Sequence, residues 1–161
     1  MPITATAGAK LYIGGVLAMK SADFVLTDFD SETWVEVKDL ESLGSLGDSA
    51  NEITQDLIGE NRTKRLKGTR NAPPMEVIAA INYEDTGQQA LVAAEKTKDD
   101  YAFKLVFDDA PSGGTPSERY FIAKVASSNE AYDTANSVMK LNASLWVNSN
   151  VVRVDAAAAG P

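Results

Sequence analysis

Residues 75–107, MEVIAAINYEDTGQQALVAAEKTKDDYAFKLVF, give the clearest indication of the fold class. Every second residue is apolar over residues 75–83 and again over residues 101–107, and this period of two predicts two half-buried strands. Two strands on either side of one short helical segment favour a mainly β protein.

The segment between these strands predicts one short helix, over about residues 87–97. Thr86 and Gln89 have the spacing of a capping box, with Thr86 as the N-cap. Strong helix formers follow. The apolar stripe of this helix is narrow and suits close packing on a sheet; it consists of Ala90, Ala93 and Ala94.

Further strand patterns occupy residues 34–38, 120–126 and 138–154. Near the start, Gly14 and Gly15 lie between apolar runs and predict either a two-residue hairpin turn or a glycine bulge in one continuous strand. Several strands with one helix are typical of an antiparallel β-sandwich or barrel. We expect a single domain over residues 1–155 and a flexible tail at residues 156–161.

The composition excludes several kinds of site. The 161 residues include no cysteine and no histidine, so disulfides, thiol nucleophiles, Ser-His-Asp triads and imidazole metal sites are ruled out. The chain has no apolar run of about 18 residues, and its first residues lack the pattern of a signal peptide. We expect no membrane binding by this chain.

The carboxylates do not form a convincing reaction centre or metal site. Asp28, Asp30 and Glu32 alternate as in a calcium loop, but the required glycine and the distal glutamate are missing. No serine has an evident base to activate it. We therefore expect no cofactor, no metal and no enzyme activity, and the balance favours a binding or structural role.

Residues 40–72 differ from the rest of the chain, because they are polar, rich in glycine and weak in periodicity. A connection of this length is uncommon in a compact domain and is usually functional or disordered. We interpret it as a long arm that projects from the domain.

Positive charge is concentrated in this segment. Residues 60–70 contain five basic residues and one acidic residue, a local charge of +4 in a chain of net charge −8, which leaves −12 elsewhere. The basic residues are Arg62, Lys64, Arg65, Lys67 and Arg70. Three interpretations compete: a solvated loop, a nucleic-acid contact that lacks interleaved aromatic residues, and a contact with an acidic neighbouring copy. We favour the last.

A family resemblance covers nearly the whole chain. Residues 34–37, 43–54 and 67–72 resemble the major tail tube proteins of long-tailed, non-contractile (siphovirus-like) bacteriophages. The most specific part is GDSANEI at residues 47–53, followed by KGTRN at residues 67–71. The later strands and the helix agree with this family in order.

The resemblance implies a β-sandwich with a flanking helix that forms hexameric rings. The inner sheets of a ring would join into one barrel, and the rings would stack into a hollow tube through which DNA passes transiently. The implied partners are further copies, a tape-measure protein, a tail terminator and tail tip proteins. The implied location is the tail tube of the virion, after assembly in the host cytoplasm.

The resemblance also assigns the arm at residues 40–72 to contacts between subunits. We expect Asp48 and Glu52 to take part together with the five basic residues, and we expect the arm to be mobile in the monomer and ordered only in the tube. The alternatives are a tube protein of a related machine (gene transfer agent, contractile tail or secretion tube), a monomeric β-sandwich binding module, and, last, a carboxylate-based hydrolase.

Overall fold

The structure is a computed structural model that describes residues 3–160. Within them the chain forms ten β-strands, one α-helix and a 3₁₀ helix at Leu26–Phe29. The strands are β1 (Lys10–Val16), β2 (Val35–Val37), β3 (Leu40–Ser42), β4 (Ser49–Gln55), β5 (Lys64–Asn71), β6 (Met75–Ala80), β7 (Tyr101–Val106), β8 (Glu118–Ala131), β9 (Lys140–Val147) and β10 (Val152–Val154). The α-helix, α1, spans Thr86–Glu95.

Eight of the strands form one antiparallel sheet. Its order is β2-β1-β7-β8-β9-β6-β3, and β10 also pairs with β8. The other two strands, β4 and β5, form a separate two-stranded sheet. The expected fold class, mainly β and antiparallel with one flanking helix, is therefore confirmed.

Both faces of the main sheet are buried in its centre. Phe103 and Phe121 belong to a core between the sheet and α1, and their rings stack with centroids 5.5 Å apart. Their neighbours Ala102 and Ile122 point to the opposite face, where Phe29 from the 3₁₀ helix covers them. This alternation follows from the period of two in a strand.

The long strand β8 allows one sheet to wrap around the core. It pairs with β7 and β10 over residues 118–123 and with β9 over residues 123–131. The register with β9 shifts between Val125 and Ser127. A bulge of this kind bends a strand, so β8 changes neighbours along its length.

The two ends of the sheet meet beside α1. Strands β2 and β3 lie at opposite ends of the strand order but follow each other in the chain, separated by Lys38 and Asp39. The Ala80 N–H donates to the Asp39 carbonyl at 2.8 Å. The buried Gln88 side chain donates to the carbonyls of Lys38 (3.0 Å) and Ala80 (2.9 Å). These bonds satisfy backbone groups that the sheet leaves unpaired at this seam.

The helix differs from its prediction at both ends and in its buried face. Its N-cap is Asp85, which accepts from the Gln88 N–H at 3.1 Å and from the Lys38 N–H at 3.0 Å, so the assignment of Thr86 as N-cap is wrong. The helix ends at Glu95. The predicted alanine stripe is also wrong in part, since the buried residues are Gly87, Gln88, Leu91 and Ala94.

Two strand predictions are resolved by the structure. Gly14 and Gly15 lie inside the continuous strand β1, with a register irregularity between Ile13 and Val16, so the bulge interpretation is correct and the hairpin is not. The single strand predicted over residues 138–154 is wrong, because it is divided into β9 and β10.

Polar side chains cause that division. The Ser149 hydroxyl accepts from the Ile122 N–H at 2.8 Å, and the Asn150 side chain bonds to both the N–H and the carbonyl of Phe24. The intervening residues therefore leave the ladder, and β10 resumes pairing nearer the start of β8.

The described part of the C-terminal tail contacts a loop. Thr115 and Ala157 exchange two backbone hydrogen bonds, at 2.8 and 3.1 Å. Pro161, also predicted to be in the flexible tail, lies outside the described residues. The flexibility of the tail and the domain boundary at residue 155 stay predictions.

Candidate functional site

Within the segment expected to project, residues 48–71 form a β-hairpin. From here on, the arm means residues 48–71. Its first predicted residues, 40–42, belong to the main sheet as β3, so the arm begins later than expected. Strands β4 and β5 pair from Ser49↔Asn71 to Gln55↔Lys64. Every residue of these strands is exposed except Gly68, which is half-buried. The sequence predicted the projection, but not the regular pairing.

Three ion pairs form within the arm. They are Arg70 with Asp48 (3.1 Å), Arg65 with Glu52 (3.3 Å) and Lys64 with Glu60 (3.1 Å). The structure therefore brings most of the predicted contact residues together within one hairpin. Because the basic side chains are exposed, each pair contributes about 0–1 kcal/mol to stability.

Acidic residues offset most of the positive charge of the arm. Residues 48–71 contain five basic and four acidic residues, a net charge of +1. Lys67 lies opposite Glu52 in the register, and Arg62 lies in the turn. Neither side chain makes an ion pair within the described chain, so Arg62 and Lys67 remain free to meet an external carboxylate.

The arm also exposes a stripe of aliphatic side chains, which the sequence analysis did not assign to a contact. Ile53 and Leu66 lie opposite each other across the two strands and are 50% and 65% exposed. Ile53 packs over Gly68, where an added Cβ would lie 3.3 Å from its side chain. At the tip, Leu57 is partly exposed and Ile58 is fully exposed. An exposed apolar stripe on a projecting element is typical of an interaction surface.

A basic groove lies at the base of the arm, with a volume of about 580 Å³. Its lining includes Arg70 of the arm and two arginines of the body, Arg119 and Arg153. The two body arginines are direct register partners in β8 and β10. Burial lowers the pKa of the Arg119 guanidinium, and the positive charge of Arg153 lowers it further. Two like charges placed opposite each other destabilise a strand pair, and the carboxylates of Asp155 and Asp109 offset part of this repulsion at Arg119 by raising its pKa.

A second groove, the helix groove, runs between α1 and the end of the main sheet, with a volume of about 380 Å³. Its apolar lining is formed by Ile81, Tyr83, Val92, Ala93 and Leu141. Its rim carries one charge of each sign, Glu130 and Lys96.

Glu130 orders two tyrosines at this rim. The hydroxyls of Tyr83 and Tyr132 both donate to its Oε2, at 3.1 and 2.6 Å. This bond to a carboxylate raises the pKa of both phenols above the ordinary value. Both rings are more than half exposed, which extends the apolar surface of the groove.

Two of the three carboxylates that alternate near residue 30, Asp28 and Glu32, have structural partners. Asp28 accepts from the Lys20 ammonium at 2.6 Å and from the Val25 N–H at 2.8 Å, and these bonds lower its pKa. Glu32 accepts from the Gly15 N–H at 2.7 Å. Over residues 3–160 no group of three or more carboxylates is placed to hold a metal ion, and no helix has the length and apolarity needed to cross a membrane.

Neither a protein-family model nor a curated protein sequence matches this chain. Several solved structures do. The six-fold symmetrised baseplate of the anti-feeding prophage superposes with a TM-score of 0.69 at 10% identity, covering 96% of this chain and 98% of that chain. The tail tube of SPP1 gives 0.62 at 14% identity, covering 94% and 78%. The tube-terminating cap of the anti-feeding prophage gives 0.66 at 12% identity, covering 97% and 93%.

These neighbours are tail tube, cap and baseplate proteins of phage and prophage particles. At such low identity the likeness shows the fold. The chain therefore has the tail-tube fold that the resemblance implied.

Proposed function

We propose that this chain is a structural tail tube protein, which polymerises as stacked hexameric rings into a hollow tube through which phage DNA passes. The fold is shared with tube-forming assemblies over nearly the whole chain. The six-fold symmetry of the anti-feeding prophage baseplate supports the ring size. The chain has no catalytic role in this proposal, because it is a structural subunit of the tube.

The arm is the observation that carries this proposal. An isolated two-stranded hairpin is at best marginally stable in water. Here β4 and β5 form such a hairpin, and it exposes four large aliphatic side chains (Ile53, Leu57, Ile58 and Leu66). A neighbouring copy that covers this stripe would supply the missing stabilisation. Asp48, Glu52 and the five basic residues of the arm would then lie at the contact between subunits.

The partners follow from the architecture. Further copies of the chain form the tube, a tape-measure protein occupies it during assembly, and terminator and tip proteins close its two ends. The protein is then a component of the virion tail, assembled in the host cytoplasm. An acidic inner wall would repel phosphates and keep DNA from adhering during passage.

A tube protein of a related machine is the second candidate. Its support is the superposition on the anti-feeding prophage proteins, which is as extensive as that on the SPP1 tail tube. The two candidates share self-assembly through the arm and differ in what passes through the tube.

Negative-stain electron microscopy of the concentrated protein tests the proposal. We expect rings or hollow tubes from the native chain. In a matched variant, a short glycine–serine linker replaces residues 49–70, since the register places the two ends of the arm side by side. This variant should keep its circular dichroism signal and form no tubes. A native chain that stays monomeric at high concentration would contradict the proposal.

A further inference from the structure

We propose that the helix groove of one copy binds the arm tip of a second copy. The inference rests on the proposed self-assembly and names the surface that receives the arm. The arm tip consists of residues 56–63, with Leu57 and Ile58 as its apolar part. The receiving surface is the groove between α1 and the ends of β6, β8 and β9.

The arm tip is built to reach a distant surface. Seven residues of β4 extend about 23 Å from the body at the ordinary rise of a strand. A turn holds the tip in shape, since the Glu60 N–H donates to the Leu57 carbonyl at 3.1 Å and the Thr63 hydroxyl donates to Asp56 at 2.6 Å. Ile58 stands fully exposed at its end. An ordered turn that presents an aliphatic side chain loses little entropy on binding.

The helix groove has the matching chemistry. Five of its ten lining residues are aliphatic or aromatic, and only two are charged. Its volume of about 380 Å³ is at the lower end of the range for ligand pockets, which suits one aliphatic side chain. The basic groove at the arm base is a poorer receptor for Ile58, because five charged side chains are interspersed with its apolar lining residues. The apolar tip therefore favours the helix groove.

The charges at the two surfaces are complementary in one orientation. The tip carries Asp56, Glu60 and Arg62, and the groove rim carries Glu130 and Lys96. Arg62 makes no ion pair within the described chain, whereas Glu60 already pairs with Lys64. Placing Arg62 against Glu130 brings opposite charges together. Complementary charge pairs at a rim fix orientation more than affinity.

This contact would join different surfaces of identical copies. A heterologous contact of that kind repeats around a ring or along a filament and does not stop at a dimer. The arm tip and helix groove thus provide one step of a repeating assembly, as a tube requires.

Cysteine cross-linking tests the inference directly, because the chain contains no cysteine. The test variant is Ile58→Cys with Ala93→Cys, and the matched control is Ile58→Cys with Ser112→Cys, which places the second thiol on an exposed loop outside the groove lining. A short bismaleimide should give a ladder of covalent oligomers from the test variant and not from the control. A cross-link within one chain, or an equal ladder from both variants, would overturn the inference.

Imaging the same samples separates this inference from the proposed function. Tubes without a ladder from the test variant would overturn the arm–groove contact and leave the tube function standing. Absence of tubes from the native chain would contradict the function. In that case the arm–groove contact is tested by cross-linked dimers of the test variant at the same concentration. Dimers would support the contact, and their absence would contradict it.

An assembly measurement gives a second readout. Ile58→Asp should raise the protein concentration needed for assembly by about tenfold or more, since it removes the burial of one aliphatic side chain. Ile3→Asp is the control, because Ile3 is a fully exposed isoleucine outside the arm. Equal effects of the two substitutions would count against the contact.

Discussion

The main sheet with α1, which we call the body, buries its central strands, whereas the arm leaves both of its strands exposed. The central strands of the body bury side chains on both faces, as Phe103 and Ala102 show. The arm strands bury almost nothing, although they pair with comparable regularity. Pairing alone does not stabilise a hairpin in water. The body therefore buries its apolar side chains within one chain, whereas the arm leaves its own exposed.

Truncating one apolar side chain in each region should give the largest difference. Phe103→Ala removes a fully buried ring that stacks on Phe121, so it should lower the free energy of unfolding by about 3–5 kcal/mol. Leu66→Ala in the arm should change it by less than about 0.5 kcal/mol. Denaturant unfolding of the monomers measures both. A comparable loss from Leu66→Ala would mean that the arm is already packed in the monomer.

The next largest difference in stability should come from two glycine-to-alanine substitutions, one in the body and one in the arm. A Cβ at Gly87 would lie 2.1 Å from the Glu36 carbonyl oxygen, so Gly87→Ala must push α1 away from β2 at a cost of about 1–3 kcal/mol. Gly59 in the arm tip has no atom within 4 Å of the same position. Gly59→Ala should therefore leave the thermal midpoint unchanged, and a large shift there would contradict the open tip.

Charge reversal in the arm should act on assembly more than on the fold. Arg65→Glu with Lys67→Glu places two new carboxylates beside Glu52, but all of these side chains are exposed, so the monomer should lose about 1 kcal/mol or less. Tube formation, followed by light scattering, should fail. Lys10→Glu with Lys98→Glu is the control of equal charge change. Normal tubes from the arm variant would refute the assignment of these residues to the contact.

The smallest effect should come from the like-charged pair in the body. Arg119 lies opposite Arg153, whereas the equivalent cross-strand pair in the arm, Glu52 and Lys67, has opposite signs. Arg153→Glu should therefore raise the free energy of unfolding by about 0.5 kcal/mol, measured at low salt. A loss of stability would contradict this expectation and indicate that the neighbouring carboxylates, Asp155 and Asp109, outweigh the repulsion between the arginines.

The sequence predicted the body because its signals are local. The alternation over residues 101–107 reports burial on one face, and β7 forms there with only the last residue omitted. Hydrogen bonds between residues far apart in the sequence, by contrast, could not be predicted from local patterns. Asp85 caps α1 partly because it also binds the Lys38 N–H, and Ser149 ends β9 by binding the Ile122 N–H.

The candidate surfaces were predicted only in part, for a related reason. The arm was recognised because its sequence lacks the periodicity of a buried face. Without that periodicity, the register of β4 with β5 could not be predicted. The basic residues were visible as a cluster, but their partners Asp48 and Glu52 become neighbours only when the hairpin forms. The helix groove combines residues 81–83, 88–96, 130 and 141, and no local pattern connects them.

Hydrogen exchange of the arm, compared between monomer and assembled protein, measures whether a neighbouring copy completes this hairpin. We expect the backbone amides of β4 and β5 to exchange quickly in the monomer and to become strongly protected after assembly, while those of β7 and β8 are protected in both states. Equal protection of the arm amides in both states would contradict the claim that a neighbouring copy completes this hairpin.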